Sequence, residues 1–301
     1  MKLLLNIACV VLLSTTLLAC SSLMARQAKT KKIFSFGIIA DCQYHNEEGS
    51  GVRKYSWSKE KLESCVTHFN SLDLTYIIHL GDFIDRDWES FDVVTPIYNK
   101  LLVPHHHVLG NHDFSVSDEM KEKVPIKMGM SSSYYDFEVK GWRFIVLNGN
   151  DISYHAYPKD SQEYNFAAKY YDKNKINSPK WNGAIGQDQM NWLNNILEES
   201  SKNGEKVILY CHFPVYPESI FNLWNANEVI EMIEQYSNVK AYINGHNHEG
   251  DYGTKNGINY LTFKGMVDTK ETAYGIVTIY TDYIEVLGYG REENRILKIS
   301  D

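Results

Sequence analysis

Five short polar blocks mark this chain of 301 residues: Asp41-Cys42-Gln43, Gly81-Asp82, Gly110-Asn111-His112-Asp113, His212 and Gly245-His246-Asn247-His248. Each directly follows an apolar, strand-like run, at 33–40, 75–80, 107–109, 206–211 and 240–243. In an open α/β sheet, ligands sit beyond the carboxyl ends of the strands, so five such blocks should converge on one crevice. Their side chains are carboxylates, amides and imidazoles, the donors that hold divalent cations. Asp41 and Gln43 are two residues apart on an extended segment, so both can face one ion, and His246 and His248 share that spacing. Two ions about 3.5–4 Å apart need a bridging carboxylate. Asp82 suits that role, because Gly81 lets the backbone come close. Asn111 offers an amide oxygen and His212 a further nitrogen.

Taken together, D-x-Q, GD, GNHD, the lone His212 and GHNH resemble the calcineurin-like metallophosphoesterase superfamily. Further stretches are similar to the manganese-dependent ADP-ribose/CDP-alcohol diphosphatases: 40–44, Gly183 with Trp192-Leu193-Asn194, 212–217, Leu223-Trp224-Asn225 and Ala273-Tyr274-Gly275. The similarity runs from about Ile33 to Arg291. The resemblance implies a four-layer α-β-β-α sandwich, two mixed sheets flanked by helices. It implies one ion on Asp41, Gln43, Asp82 and His248, and a second on Asp82, Asn111, His212 and His246. A hydroxide bridging them would attack phosphorus in line. His112 would sit over the phosphate and help the leaving oxygen go, with Asp113 orienting its ring. Gln43 places a neutral, hard oxygen where most relatives carry His, which favours Mn²⁺, with Mg²⁺ or Fe²⁺ as alternatives, over zinc-like ions. Asp85 stands where purple acid phosphatases need Tyr, so a ferric-tyrosinate centre is not expected.

Substrate contacts are expected from Arg53 and Tyr55, in the loop after Asp41, where Arg53 could fork onto a distal phosphate. Tyr216, Trp224 and Asn225 could line the cleft or pack in the core. Tyr154, His155 and Tyr157 could stack on a base. His105, His106 and His107 read as strand residues rather than ligands. Asp85, Asp87 and Asp92 read as a solvated helix start, and Asp251 and Tyr252 as part of the site rim. Three readings stay open: a diphosphatase of nucleoside diphosphate conjugates, a phosphomonoesterase or cyclic-nucleotide phosphodiesterase of the same fold, and a non-catalytic surface-binding lipoprotein.

The elements that must carry these groups follow from periodicity. A helix is expected over 58–72, opened by Ser58 with Leu62, Val66 and Phe69 inward. Others are expected within 88–102 and over 187–199 and 227–236. A hairpin turns at Lys140-Gly141, and the last part, 258–287, gives three strands, two of them joined at Thr281-Asp282. Residues 149–185 look irregular and read as a functional lid. Strands and helices alternate early and strands dominate late, which suggests two packed sheets covered by helices.

Composition is ordinary for a globular chain, 44% hydrophobic and 23% charged, and no linker interrupts it, so one domain is expected over 32–301. The formal charge of -8 and the lack of a basic stripe argue against nucleic acid as a partner. A small phosphorylated substrate is compatible with that charge if metal ions supply the local positive field. Residues 1–19 read as a signal segment, too short and interrupted for a membrane span. The run Leu17-Leu18-Ala19-Cys20-Ser21-Ser22 resembles a bacterial lipoprotein box, in which the Cys becomes the lipidated N-terminus; the other reading is a plain signal peptide containing a Cys. Lipidated Cys20 would anchor the protein in a bilayer of the bacterial cell envelope, the outer membrane being the expected one, through a polar tether over 20–31. Cys42, Cys65 and Cys211 remain as core residues without a disulfide framework. The oligomeric state is not legible.

Overall fold

The computed structural model describes residues 30–299. The signal segment, Cys20 and nearly all of the expected tether lie outside the described residues. Two six-stranded sheets stack face to face. The first contains β1 (Lys32–Ile39), β2 (Ile77–His79), β3 (His105–His107), β10 (Ala273–Tyr280), β11 (Tyr283–Gly290) and β12 (Arg295–Lys298), in the order β12-β11-β10-β1-β2-β3. The second contains β4 (Tyr135–Val139), β5 (Trp142–Val146), β6 (Lys206–Tyr210), β7 (Val239–Asn244), β8 (Asp251–Lys255) and β9 (Ile258–Thr262), in the order β4-β5-β6-β7-β9-β8. Both sheets are mixed. β1, β2 and β3 run parallel, as do β5, β6, β7 and β9, while the remaining pairings are antiparallel.

The alternation of side chains builds the layers. Along β1, Phe34, Phe36 and Ile38 point between the sheets, where they meet Phe144, Ile208, Tyr210 and Ile243. Phe36 stacks on Tyr76 at 4.6 Å, and the buried hydroxyls of Tyr76 and Tyr210 bond across the sheets at 2.8 Å. The outer face of the first sheet is covered by α1 (Ser58–Asn70) and α2 (Glu89–Tyr98), through Leu62, Val66, Phe69, Phe91 and Val94. Two helices, α5 (Gln187–Asn203) and α6 (Ala226–Ile233), cover the second through Leu193, Leu197, Val229 and Ile233. The result is the four-layer α-β-β-α sandwich, with a short α3 (Val124–Lys127) and α4 (Gln162–Lys173) added. Cys42, Cys65 and Cys211 are free and buried in the helix-facing cores.

Several local expectations need correction. The stretch 149–185 contains α4, capped by Ser161, whose side chain accepts from the Tyr164 N–H at 3.1 Å. Its apolar periodicity is faint because only Ala167 is buried. Ser58 does not cap α1: it lies inside the first turn, and its buried hydroxyl has no partner. The edge strands β8 and β12 were not expected, since half-exposed edges lack a clear apolar alternation. Asp251 and Tyr252 open β8, where the Asp251 carboxylate accepts from the Tyr252 N–H at 2.8 Å. The hairpin turn does fall at Lys140-Gly141, both at positive φ.

Candidate metal centre and catalytic cavity

Parallel strands from both sheets end at one place. Asp41 follows β1, Asp82 follows β2, Asn111 follows β3, His212 follows β6, and His246 and His248 follow β7. The chain bends sharply there: Asp41, Gln43, Asp82 and His246 all have positive φ, between 41° and 70°. Four non-glycine residues held in this sparsely populated region at one site are the mark of strain retained for function. Gly81, at φ 94°, and Gly110 allow the approach, since a Cβ would lie 2.6 Å from His212 Nδ1 and 2.1 Å from Asp82 Oδ1, respectively.

Hydrogen bonds fix which ring nitrogen faces inward. His212 Nδ1 donates to the Leu80 carbonyl at 2.8 Å, which turns Nε2 toward Asp82 Oδ2 at 3.2 Å. His248 Nδ1 donates to Asp268 at 3.0 Å, which turns Nε2 toward Asp41 Oδ1 at 3.4 Å. His246 is reversed: Nε2 meets Asn182 Oδ1 at 2.9 Å, and Nδ1 faces His212 Nε2 at 3.0 Å. Ligand atoms of Asp82, His212 and His246 all lie within 4.8 Å of one another. Nearby, Gln43 Oε1 and Asn111 Oδ1 are buried without hydrogen-bond partners, an expensive state for amide oxygens unless a cation takes them. The donor set of oxygen and nitrogen atoms therefore fits divalent cations.

The charges agree. Burial pushes the Asp82 carboxyl up, but the imidazoles of His212, His112 and His246 outweigh it and hold it below the usual carboxylate range. Burial also opposes the imidazolium forms of His212 and His248. The carboxylates facing them nonetheless raise both to about 9, Asp82 foremost for His212 and Asp41 for His248. Burial and the neighbouring His212 push His246 well below its ordinary value. Without a cation, protons occupy His212 and His248; cation binding must release them.

His112 stands at the edge of this cluster. Its Nδ1 donates to the Asp85 carbonyl at 3.0 Å and lies 3.2 Å from Asp85 Oδ1. Asp113, expected to orient this ring, does something else. Its carboxylate accepts the backbone N–H groups of Phe83 at 2.7 Å, Gly110 at 2.8 Å and Asp82 at 3.1 Å, clamping two ligand loops together. Asp85, expected to be solvated, is buried and takes the orienting position. Burial lowers the His112 pKa, but Asp82 and Asp85 outweigh it and leave it raised. Asp87 is also committed, bonding the Ser90 N–H at 2.9 Å at the start of α2 and His45 at 2.8 Å.

The cluster opens into a cavity of about 600 Å³ whose wall includes Gln43, Asp82, Asn111, His112, His246 and His248, together with Arg53, Lys180, Tyr154, His155, Trp181 and Phe221. Arg53 is therefore at the site. Tyr55 lies outside that wall, buried with its ring against His45 and under Arg86. Tyr157 packs away from it, with its hydroxyl on the Asp151 carbonyl. Tyr216, Trp224 and Asn225 line a different cavity of about 920 Å³, which contains none of the cluster's residues. His105, His106 and His107 are in β3, where His106 stacks on Phe137 at 4.0 Å. Lys180, Trp181, Asn182, Phe221 and Asp268 carry no sequence signal, because none follows a strand or belongs to a motif.

The Calcineurin-like phosphoesterase family profile matches residues 34–250. The chain belongs to the calcineurin-like phosphoesterase family. It is a metallophosphoesterase. Among similar proteins of this family, the manganese-dependent ADP-ribose/CDP-alcohol diphosphatase of Xenopus laevis is 30% identical, over 89% of this chain and 91% of that protein. The protein of that description from Bos taurus is 29% identical, over 89% of this chain and 95% of its own length. The crystal structure of a dimetal phosphatase from Danio rerio superposes with a TM-score of 0.81 at 25% identity, covering 90% of this chain and all of that one.

Proposed function

We propose that this metallophosphoesterase hydrolyses the diphosphate bond of nucleoside diphosphate conjugates of the ADP-ribose or CDP-alcohol type, with Mn²⁺ as its metal. The observation that carries this reading is the composition of the cavity, in which the cationic side chains of Arg53 and Lys180 and the rings of Tyr154, Trp181 and Phe221 surround the donor cluster. The near full-length similarity to diphosphatases of that description supports it further. One cation would be held by Asp41, Gln43, Asp82 and His248, and the other by Asp82, Asn111, His212 and His246. Two divalent cations, when bound, supply Lewis acidity that neutralises phosphate oxygens and lowers the pKa of water toward neutrality.

The chain's own residues do the rest. His112 has its Nδ1 committed to Asp85, so Nε2 is the atom that meets the phosphate. A proton on that atom would be given to the leaving oxygen. Arg53 and Lys180 supply charge for the second phosphate. Trp181, Phe221 and Tyr154 supply flat apolar faces for a nucleobase. Asp113 keeps the loops of Asp82 and Asn111 in register.

The test is direct. The purified full-length protein is incubated with Mn²⁺ and, separately, ADP-ribose, CDP-choline, cyclic AMP and p-nitrophenyl phosphate. AMP and CMP released from the conjugates is the expected result. Turnover of the last two substrates alone would replace this reading with the phosphodiesterase or monoesterase one, and inactivity across all four would favour a binding role. We also propose attachment to the cell envelope through a lipid on Cys20. Cys20→Ser should then lose palmitate labelling and appear in the soluble fraction; an unchanged membrane fraction would sink the idea.

A further inference from the structure

We propose that Asn182 is a positioning residue that couples cation binding at His246 to the order of the cavity's aromatic wall. Asn182 is fully buried. One end of its amide approaches the Ile220 carbonyl at 2.8 Å and the Ser178 hydroxyl at 2.8 Å. A carbonyl only accepts, so that end is the NH₂ group. The other end is therefore the oxygen, and the His246 Nε2 that it meets at 2.9 Å must carry the proton. His246 Nδ1 is left as a lone pair directed at the Asp82–His212 cluster. A single side chain thus selects the tautomer of a candidate ligand and the face it presents. Such outer partners set both ring orientation and ligand basicity.

The same amide holds two separate pieces of the cavity wall. Ser178 and Asn182 bracket Lys180 and Trp181, and Ile220 adjoins Phe221; Lys180, Trp181 and Phe221 all line the cavity. The Trp181 ring lies 5.0 Å from His246 and 5.5 Å from Phe221, and Phe221 lies 5.8 Å from His246. Each piece has further ties of its own, Ser178 and Pro179 through their carbonyls to the Tyr171 hydroxyl and the Trp224 Nε1–H, and the Phe221 N–H to the Ser219 hydroxyl. Asn182 is nonetheless the side chain that joins both pieces to His246, and the Trp181 and Ile220 side chains beside it are 39% and 63% exposed. Tightening His246 on a cation tightens its bond to Asn182, and through it the Ser178–Asn182 and Ser219–Phe221 segments. By linkage, ordering of the wall strengthens cation binding by the same factor.

The experiment uses Mn²⁺ alone, without substrate, so it is independent of which phosphate ester is hydrolysed. Mn²⁺ affinity is measured by calorimetry on the full-length protein, and hydrogen exchange is followed in peptides covering 178–183 and 218–223 with and without Mn²⁺. In the unsubstituted protein, Mn²⁺ should slow exchange in both segments. Asn182→Leu keeps the shape and loses every hydrogen bond. It should weaken at least one Mn²⁺ site about ten- to hundred-fold and abolish the Mn²⁺-dependent protection. Asn182→Asp retains the acceptor for His246 and loses the donor to Ile220. It should bind Mn²⁺ within a few-fold of the unsubstituted protein while the 218–223 segment stays unprotected, and this arm decides the matter if the Leu variant does not fold. Unchanged Mn²⁺ affinity in Asn182→Leu, or retained 218–223 protection in Asn182→Asp, would overturn the proposal and leave the catalytic reading untouched. Failure of the unsubstituted protein to bind Mn²⁺ would overturn both.

Discussion

At the scale of single residues, the candidate site separates the buried donors proposed to hold cations from the cavity groups proposed to meet the substrate. Asp82 touches both halves of the cluster, through His212 on one side and the Gln43 amide at 3.2 Å on the other. Asp82→Ala should therefore deplete both metals, as read by elemental analysis after dialysis. Retention of a full complement would remove its bridging role. His112→Ala should keep its Mn²⁺ and lose roughly 10²–10⁴-fold in kcat, the usual reach of acid–base assistance. Metal loss in that variant would place His112 among the ligands instead. The Asp85 carbonyl orients the ring, and the Asp85 carboxylate 3.2 Å away joins Asp82 in raising the His112 pKa. Asp85→Asn should consequently move the alkaline limb of the kcat profile to lower pH, and an unmoved limb would count against the contact.

At the scale of elements, five crossing points between strand and loop bring the donors together, and these crossing points were legible. Each strand is a short apolar run and each loop opens on a donor, a contrast that survives without any tertiary information. The helices α1, α5 and α6 were legible from their apolar periodicity. The insertion holding α4 was not, because it buries little and its Tyr-rich faces have no clear period. The union of the two sheets also rests on a pair that no periodicity reveals. Tyr76 and Tyr210 are 134 positions apart, and their hydroxyls satisfy each other inside the apolar layer. Tyr210→Phe should lower stability by about 1–3 kcal/mol, because it leaves the Tyr76 hydroxyl buried and unpaired. Adding Tyr76→Phe should recover much of that loss in urea denaturation. A double variant no more stable than the single one would show that the pair matters for something other than mutual satisfaction.

For the whole molecule, the converging strand ends create a charge problem that pH exposes. In the metal-free protein His212 and His248 stand at about 9, against an ordinary 6.5. Both bind protons more tightly folded than unfolded. Their contribution to stability is complete below pH 6.5 and is lost as pH rises toward 9. Lys61 acts in the opposite sense: burial lowers it to about 8, so its cost to the folded state is relieved only as pH rises from about 8 toward its ordinary 10.5. Five histidines held below their ordinary value, His79, His106, His107, His155 and His246, oppose them around pH 6.5, so the window in which His212 and His248 dominate is roughly pH 7 to 8. The urea midpoint of chelator-treated protein should fall across it, while the Mn²⁺-loaded protein, whose cations replace those protons, should hold level. A metal-free midpoint that rises over this range would contradict the cluster's electrostatics.

The sequence by itself determined the candidate donor types, their places after strands, the paired spacing of Asp41 with Gln43 and of His246 with His248, and through these the family. Those features are local, because a donor and the strand that delivers it are neighbours along the chain. Only the tertiary structure decided which nitrogen of each imidazole points inward and what holds it there. Asp85, Asn182 and Asp268 do so from 27, 64 and 20 positions away, respectively. Asp113 was legible as a carboxylate beside His112, yet packing turned it onto backbone N–H groups instead. A hydrogen bond is chosen by direction within about 3 Å. That direction is set by how two sheets and an insertion pack, and residue type alone does not carry it.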